Sequence, residues 1–206
     1  MNSSPNPPYN SYATSEAAYV VNTLIPAGLD GYIMDIESAN GHGNPTPWRD
    51  WDRKNDAALK TLAASYAQTL RKAADTCGRP FLLGFTSHAN AFNIYPGTPW
   101  EPFIEASDVL FPQSYWRMWV DAQENTPAHP VEENGGTPKS AVAVSYADYA
   151  QWNKPIIPIG GEMFPAKIGE MALFGQELSK RGITEGHFYT STANIDVNVL
   201  SEIRAL

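Results

Sequence analysis

The chain has 206 residues, and 43% of them are hydrophobic, which is enough for the core of one large domain or two small ones. Its 14 Lys and Arg residues against 22 Asp and Glu residues give a net charge of -8, and the absence of a basic run argues against nucleic acid as a partner. No apolar stretch reaches the roughly 20 residues that cross a bilayer, and the first residues lack the basic and apolar regions of a signal peptide. We therefore expect no membrane insertion.

Cysteine and histidine usage argues against a metal site. The single cysteine, Cys77, excludes an internal disulfide and a cysteine-based zinc cluster. Its place near the end of a helical stretch predicts a buried, small apolar residue. The four histidines show no His-x-His or His-x-x-x-His spacing. We expect neither a metal nor another cofactor.

Strands and helices are predicted to alternate along the chain. The strands are short apolar runs rich in β-branched or aromatic residues, and the helices have apolar residues three and four apart. In chain order we predict a strand at 31–36, a helix at 57–74 with its stop at Cys77 and Gly78, a strand at 81–86, a helix at 100–106, a strand at 109–114, a helix at 140–152, a strand at 155–159, a helix at 168–180 and a strand at 186–190. This pattern favours an α/β fold with a parallel sheet, either a (β/α) barrel or an open doubly wound sheet. No glycine-rich nucleotide loop follows any strand.

The first predicted strand ends in two carboxylates, Asp35 and Glu37. Residues two apart in a strand share a face, so the two acids point the same way while Met34 and Ile36 point the other way. Hydrolysis of a sugar linkage needs such a pair, because one group donates a proton to the leaving oxygen and the other stabilises or attacks the anomeric carbon. We expect Glu37, nearer the strand end, to be the acid, and Asp35 to lie deeper, where burial and a neighbouring charge raise the pKa of a carboxyl group. The alternative is that these acids cap a loop or pair with an Arg.

The third predicted strand ends in Gln113, Tyr115 and Trp116. Gln113 and Tyr115 share a face and are suitable hydrogen-bonding partners for a sugar or a reacting carbonyl, and Trp116 is suited to stacking on a pyranose ring. The alternative is that the two aromatic residues are ordinary packing at the rim. His88, Glu162 and Tyr189 lie at the ends of other strands. They are weaker candidates, because any strand end carries a polar residue.

Two long loops rich in Gly, Pro and Trp follow strand ends, at 38–52 and 116–139. In a barrel the active site is built from loops at the carboxyl ends of the strands. We therefore predict that both loops line a substrate groove and that Trp48, Trp51, Trp116 or Trp119 supplies stacking faces. The alternative is that these tryptophans pack the loops onto the rim.

The stretch Asp30 to Glu37 resembles the Asp-x-x-Asp-x-Asp-x-Glu strand of the family 18 glycoside hydrolases, which are chitinases and endo-β-N-acetylglucosaminidases. The first Asp, the Gly, the last Asp and the Glu match, and the middle Asp is replaced by Ile33. The shorter Asp-x-Glu also looks like the family 25 lysozymes, which cut peptidoglycan. In family 18 the Glu is the general acid and the preceding Asp orients the substrate acetamide, so the resemblance implies those roles for Glu37 and Asp35.

A closer likeness is to glycoside-hydrolase-like barrel proteins of bacteria and phages. They contain stretches similar to Asp-Gly-Tyr-Ile-x-Asp-x-Glu and to four further segments of this chain, at 95–96, 99–103, 112–116 and 154–158. In family 18 the acidic strand is the fourth of eight and the Tyr-bearing strand is the sixth. Here these strands are the first and third, so the resemblance implies a single (β/α)8 TIM-barrel domain over residues 1–206 that holds the last five β/α units, with the first three missing or upstream.

The resemblance implies a glycosidase that acts on an oligosaccharide or polysaccharide, either chitin-like or peptidoglycan-like. Such a hydrolase takes part in polysaccharide degradation and is expected to act outside the cell or on the cell wall. Two other readings stay open. Ile33 in place of an acid favours a catalytically inactive carbohydrate-binding barrel. An esterase or deacetylase is disfavoured, because the Gly-x-Ser-x-Gly elbow and a cluster of metal-binding histidines are missing.

Overall fold

The computed structural model describes residues 7–37, 57–118, 129–131, 134–161, 163, 166–189 and 196–204. The chain divides into two compact units. The first unit is Met1–Ser87 with Phe92–Leu110, and the second unit is His88–Ala91 with Phe111–Leu206. Within the described ranges, no helix combines the length and apolar character that a membrane crossing requires.

Helices precede or follow nearly every strand of the described chain. A π-helical turn at Val20–Leu24 continues the first α-helix, and a 3-10 turn at Ala150–Trp152 continues the fifth. The α-helices are α1 (Pro7–Tyr19), α2 (Ala57–Thr76), α3 (Ala91–Ile94), α4 (Trp100–Ala106), α5 (Pro138–Tyr149), α6 (Glu170–Ser179) and α7 (Val197–Arg204).

The strands form a five-stranded sheet and a separate two-stranded ribbon. The strands are β1 (Gly31–Asp35), β2 (Leu82–His88), β3 (Val109–Ser114), β4 (Arg117–Met118), β5 (His129–Pro130), β6 (Ile159–Gly160) and β7 (His187–Phe188). The sheet order is β1-β2-β3-β6-β7. The pairs β1 with β2, β3 with β6 and β6 with β7 are parallel, whereas β4 and β5 pair in antiparallel fashion. The predicted α/β fold with a parallel sheet is therefore confirmed.

Helix α2 shows why the predicted helical periodicity was reliable. Its apolar residues recur three or four positions apart, which makes one continuous stripe along a helix. Asp108, just before β3, anchors the far end of this helix, because its carboxylate accepts from Arg71 of α2 at 2.9 Å and from the Leu83 backbone N–H of β2 at 2.8 Å. The buried stripe consists of Leu59, Ala63, Tyr66, Ala67, Leu70 and Ala74.

The two faces of β1 and β2 differ in burial. On one face Met34, Leu83 and Phe85 are fully buried. On the other face Ile33 is 41% exposed and Leu82 is 43% exposed. The alternation in β1 follows from the period of two in a strand. In β2 it holds only at Leu82, because Thr86, on the same face as Ile33, is 6% exposed.

The second unit has an apolar core between its helices and the strand ends. Ion pairing fixes one side of this core, since Arg117 binds both carboxylate oxygens of Glu170, at 2.8 Å and 3.0 Å. Helix α5 starts with a capping box, in which the side chain of Thr137 accepts from the Ser140 backbone and that of Ser140 accepts in return. The core consists of Trp116, Ala141, Val142, Met163, Met171, Phe174, Leu178 and Val199.

Several predicted elements differ from the structure. The strand predicted at 155–159 is wrong in its extent, because sheet pairing of β6 covers only Ile159–Gly160. Pro155 and Pro158 lack a backbone N–H and cannot donate to the sheet. Cys77 was predicted to be buried, but it is half-buried, with its thiol 3.2 Å from the carbonyl oxygens of Ala74 and Arg79. Helices α1, α3 and α7 and the ribbon of β4 and β5 were not predicted.

Candidate functional site

Asp35 and Glu37 lie at the carboxyl end of β1 in the first unit. The backbone stays extended past Asp35, since the Ile36 N–H donates to the Thr86 carbonyl of β2 at 3.0 Å. Met34 and Ile36 are 0% and 1% exposed, while Asp35 is exposed and Glu37 half-buried. The alternation confirms that the two acids share a face. Asp35 is the more exposed of the pair, which departs from the prediction that it lies deeper, whereas the predicted rise of its pKa through burial and a neighbouring charge is present.

The electrostatics at Asp35 favour the retention of a proton. Loss of surrounding water raises the pKa of Asp35 to about 7, and the negative charges of Glu37 and Glu16 add to the effect. The side chain is nevertheless exposed to solvent. A carboxyl group with a pKa near neutrality is suited to acid–base chemistry, because both protonation states are populated at working pH.

Glu16 is the member of this region that sequence reasoning missed. It lies on α1, and its carboxylate accepts hydrogen bonds from the Tyr32 and Tyr66 hydroxyls at 2.6 Å and 2.5 Å. The segment before residue 28 carries no motif, so spacing alone gave no signal. The one sequence feature that could have marked Glu16 is that it is the single charged residue of α1.

Tyr115 and Tyr189 form a stacked aromatic pair in the second unit. Their ring centroids are 5.9 Å apart with an interplanar angle of 15°. Tyr115 follows β3, Tyr189 follows β7, and Gly161 follows the strand β6 that pairs with both. A Cβ at Gly161 would lie 2.9 Å from the Tyr115 Cα, closer than packing allows. The glycine therefore allows the backbone at Tyr115 and Trp116 to pass close to the end of β6.

The aromatic pair presents a surface that a ligand can reach. Tyr189 is 52% exposed and Tyr115 is half-buried. Aromatic rings of this kind bind the apolar C–H face of sugars and other flat ligands. The structure thus brings together two of the predicted site residues that lie 74 positions apart in sequence.

Gln113 and His88 are placed at strand ends in the second unit, as predicted. Gln113 is 7% exposed near the end of β3, and its backbone carbonyl accepts from the Tyr115 N–H at 2.8 Å. His88 is half-buried at the end of β2, and its backbone carbonyl accepts from the Tyr149 hydroxyl at 2.8 Å. Gln113 is thus buried and His88 half-buried, so neither offers a fully exposed side chain to a ligand.

The structure corrects the prediction for Trp116. Its side chain is 1% exposed, packs on Phe174 with ring centroids 5.4 Å apart, and donates its indole N–H to Glu170 at 3.0 Å. Burial opposes ionisation of Glu170, but hydrogen bonds from Arg117, the Lys167 backbone and Trp116 hold its pKa below the usual value. Trp116 is therefore a core residue that secures the chain after β3, and it offers no stacking face to a sugar.

The remaining predicted contacts lie outside the described residues. Trp48 and Trp51 belong to the predicted loop at 38–52, and Glu162 follows β6; the structure does not describe these positions. The same holds for most of the predicted loop at 116–139. Their roles in substrate binding stay predictions.

No protein-family model matches the chain, and no curated protein matches its sequence. Among the residues that the structure describes, no group of three His, Cys, Asp or Glu side chains is arranged to hold a metal ion. The described residues thus hold two separate candidate features: a carboxylate pair within the first unit and an aromatic pair within the second.

Proposed function

We propose that the chain is a glycoside hydrolase that cleaves a glycosidic bond in a chitin-like or peptidoglycan-like polysaccharide, with Glu37 as the general acid and Asp35 as its assistant. The observation that carries the proposal is the pair of acids on one face of β1, with the pKa of Asp35 raised to about 7. Structural acids on a protein surface usually pair with Arg or Lys, which lowers the pKa of the carboxyl group. The shift here has the opposite sign and fits a group that must hold a proton.

The proposed chemistry uses the two acids as a unit. Glu37 enters the reaction as the protonated acid and delivers its proton to the leaving oxygen as the bond to the anomeric carbon breaks, while Asp35, whose pKa is raised, keeps a proton of its own. Asp35 then donates a hydrogen bond to the Glu37 anion or orients the substrate. Water attacks the anomeric carbon and returns a proton to Glu37.

The strand order supports a (β/α)8 barrel type as the finer fold assignment. The order β1-β2-β3-β6-β7 follows the chain, as in a barrel in which each unit is added to the same edge. A doubly wound sheet instead reverses its order at a switch point. In the barrel type the open face of Ile33, Asp35 and Glu37 is the inner face, on which active-site residues lie at the strand ends.

A second candidate is a carbohydrate-binding barrel without turnover. The exposed Tyr115 and Tyr189 pair favours it, because aromatic stacking binds sugars with or without catalysis. Ile33, where the resembling strand has an acid, favours it as well. The two candidates share the ligand class and differ only in whether the bond is cleaved.

The test is a panel of polymers: chitin oligomers, peptidoglycan and a plain β-glucan, each assayed for new reducing ends and for binding. The proposal expects cleavage of at least one polymer that carries N-acetylated sugars. Saturable binding without new reducing ends would support the binding barrel instead. No binding and no cleavage of any of the three would overturn both candidates.

A further inference from the structure

The Tyr115 ring is carried by backbone that has left the sheet. Pairing of β3 with β6 ends at Ser114, and the Tyr115 N–H turns back to donate to the Gln113 carbonyl at 2.8 Å. Tyr189 differs, because its N–H continues the ladder of the sheet and donates to the Gly160 carbonyl at 3.3 Å. The sheet therefore holds the backbone of one ring of the aromatic pair, whereas the backbone of the other depends on contacts beyond the sheet.

Asn134 supplies such a contact. Its side-chain amide Nδ2 donates to the Tyr115 carbonyl at 2.8 Å, and Asn134 is only 6% exposed. A hydrogen bond that is largely shielded from water is stronger than the same bond at the surface. Because the N–H and the carbonyl of Tyr115 are both engaged, the peptides on its two sides are fixed, and with them the direction of the bond from Cα to the side chain.

Asn134 is itself held in place by its neighbours. Its N–H donates to the Val131 carbonyl at 3.0 Å, and the Val131 N–H donates to the Trp116 carbonyl at 3.0 Å. The next residue, Gly135, has a φ of 73° and passes so close to α5 that a Cβ there would lie 2.6 Å from the Ser140 Cβ. The amide is thus presented by a turn that is fixed both to the chain after β3 and to the start of α5.

We propose that Asn134 is a positioning residue of the aromatic pair: its side-chain amide holds the Tyr115 carbonyl and thereby sets the Tyr115 ring against that of Tyr189, in the arrangement that meets the face of a sugar. The consequence for sugar binding rests on the proposed function, whereas the effect on the two rings does not. Rings that are held in place before the ligand arrives bind it more tightly, because the ordering of free side chains costs affinity. Asn134 is buried and acts through Tyr115.

The test must separate this role from a merely structural one, because changes at a buried residue also affect stability. Asn134→Asp keeps the shape of the side chain but replaces the amide donor by an oxygen. Asn153→Asp is the matched control, since Asn153 is exposed in the same unit and gains the same charge. The readout is the NMR chemical shift of the Tyr189 ring protons, which the stacked Tyr115 ring perturbs, with thermal melting to verify the fold.

Tyr115→Leu defines the Tyr189 shifts in the absence of the Tyr115 ring. We expect the shifts of Asn134→Asp to move most of the way to those values and the shifts of Asn153→Asp to stay at the wild-type values. In acid the carboxyl group of Asn134→Asp regains a proton and with it a donor, so its shifts should return toward the wild type, whereas those of Asn134→Ala should not. If Asn134→Asp fails to fold, Asn134→Ala removes the donor without adding a charge. Wild-type Tyr189 shifts in the folded Asn134 variant overturn the proposal.

Calorimetry with chitin oligomers separates this proposal from the proposed function. If both hold, Kd rises about fivefold in Asn134→Asp, the loss expected for one hydrogen bond, and stays unchanged in Asn153→Asp. If the Tyr189 shifts move but the wild type binds none of the oligomers, the role of Asn134 in the ring pair stands and the sugar ligand fails. An unchanged Kd in a variant whose Tyr189 shifts have moved overturns the consequence for sugar binding.

Discussion

Replacement of Asp35 by the uncharged Asn should make the protein more stable at alkaline pH. The ordinary pKa of the carboxyl group is 3.8, and in the folded chain it is about 7. Between these values the folded state keeps a proton that the unfolded state has lost, so the free energy of unfolding falls as the pH rises through this window. Above pH 7 the loss is complete. The Asn side chain of Asp35→Asn cannot ionise, so the variant does not lose this stability as the pH rises.

The magnitude follows from the same two values. A change in pKa from 3.8 to about 7 corresponds to about 4 kcal/mol at 1.36 kcal/mol for each pH unit. Because the Asp35 side chain is exposed, solvent screening reduces the effect, and we expect about 1 kcal/mol. The gain of Asp35→Asn over the wild type should therefore be about 1 kcal/mol larger at pH 8 than at pH 4.

Urea unfolding followed by tryptophan fluorescence at the two pH values measures this difference directly. Asp30→Asn is the control, because Asp30 precedes the same strand with its side chain 98% exposed and pairs with Arg79. It should show no gain at pH 8. Equal stability differences for Asp35→Asn at pH 4 and pH 8, or a larger gain at pH 4, would refute the raised proton affinity of this site.

Three further predictions concern the second unit. Gly161→Ala should lower the free energy of unfolding by about 1 to 3 kcal/mol in urea unfolding, because the new Cβ would lie 2.9 Å from the Tyr115 Cα. Tyr189→Ala, which removes a ring that is 52% exposed, should weaken oligosaccharide binding in calorimetry by about tenfold, with little change in stability, and unchanged affinity would exclude the aromatic pair from the site. Glu170→Gln should cost about 3 kcal/mol at pH 7, since it leaves Arg117 without its bidentate partner. The lowered pKa of Glu170 means that this stability is present above the ordinary pKa and is lost as the pH falls through the folded value, so wild type and variant should converge in acid.

The sequence predicted those elements whose signals are local. The apolar stripe of α2 and the alternation at β1 come from spacing within one segment, and α4 has the predicted bounds, Trp100–Ala106. Helix α1 was missed because a start rich in Pro, Asn and Ser has no apolar stripe. Its stability depends on contacts with distant residues, of which the bond from Tyr66 to Glu16 is one.

The candidate site was only partly predictable for the same reason. Asp35 and Glu37 stand two residues apart, so strand geometry alone placed them on one face. The indole N–H of Trp116 donates to Glu170, which lies 54 residues later in the chain. No local sequence pattern reveals this contact or the burial of Trp116. Tyr115 and Tyr189 stack although they lie 74 positions apart in the sequence, a packing relation that only a structure can supply.

The most direct test of the proposed function is the turnover of Glu37→Gln. On a polymer that the wild type cleaves, kcat should fall about 10²- to 10⁴-fold, because the amide keeps the shape of the acid but cannot deliver a proton. Melting temperature and oligosaccharide affinity should stay close to those of the wild type, and Glu101→Gln, a control at an exposed acid of α4, should retain full activity. Hydrolysis by Glu37→Gln at nearly the wild-type rate would remove Glu37 from the acid role and contradict the account.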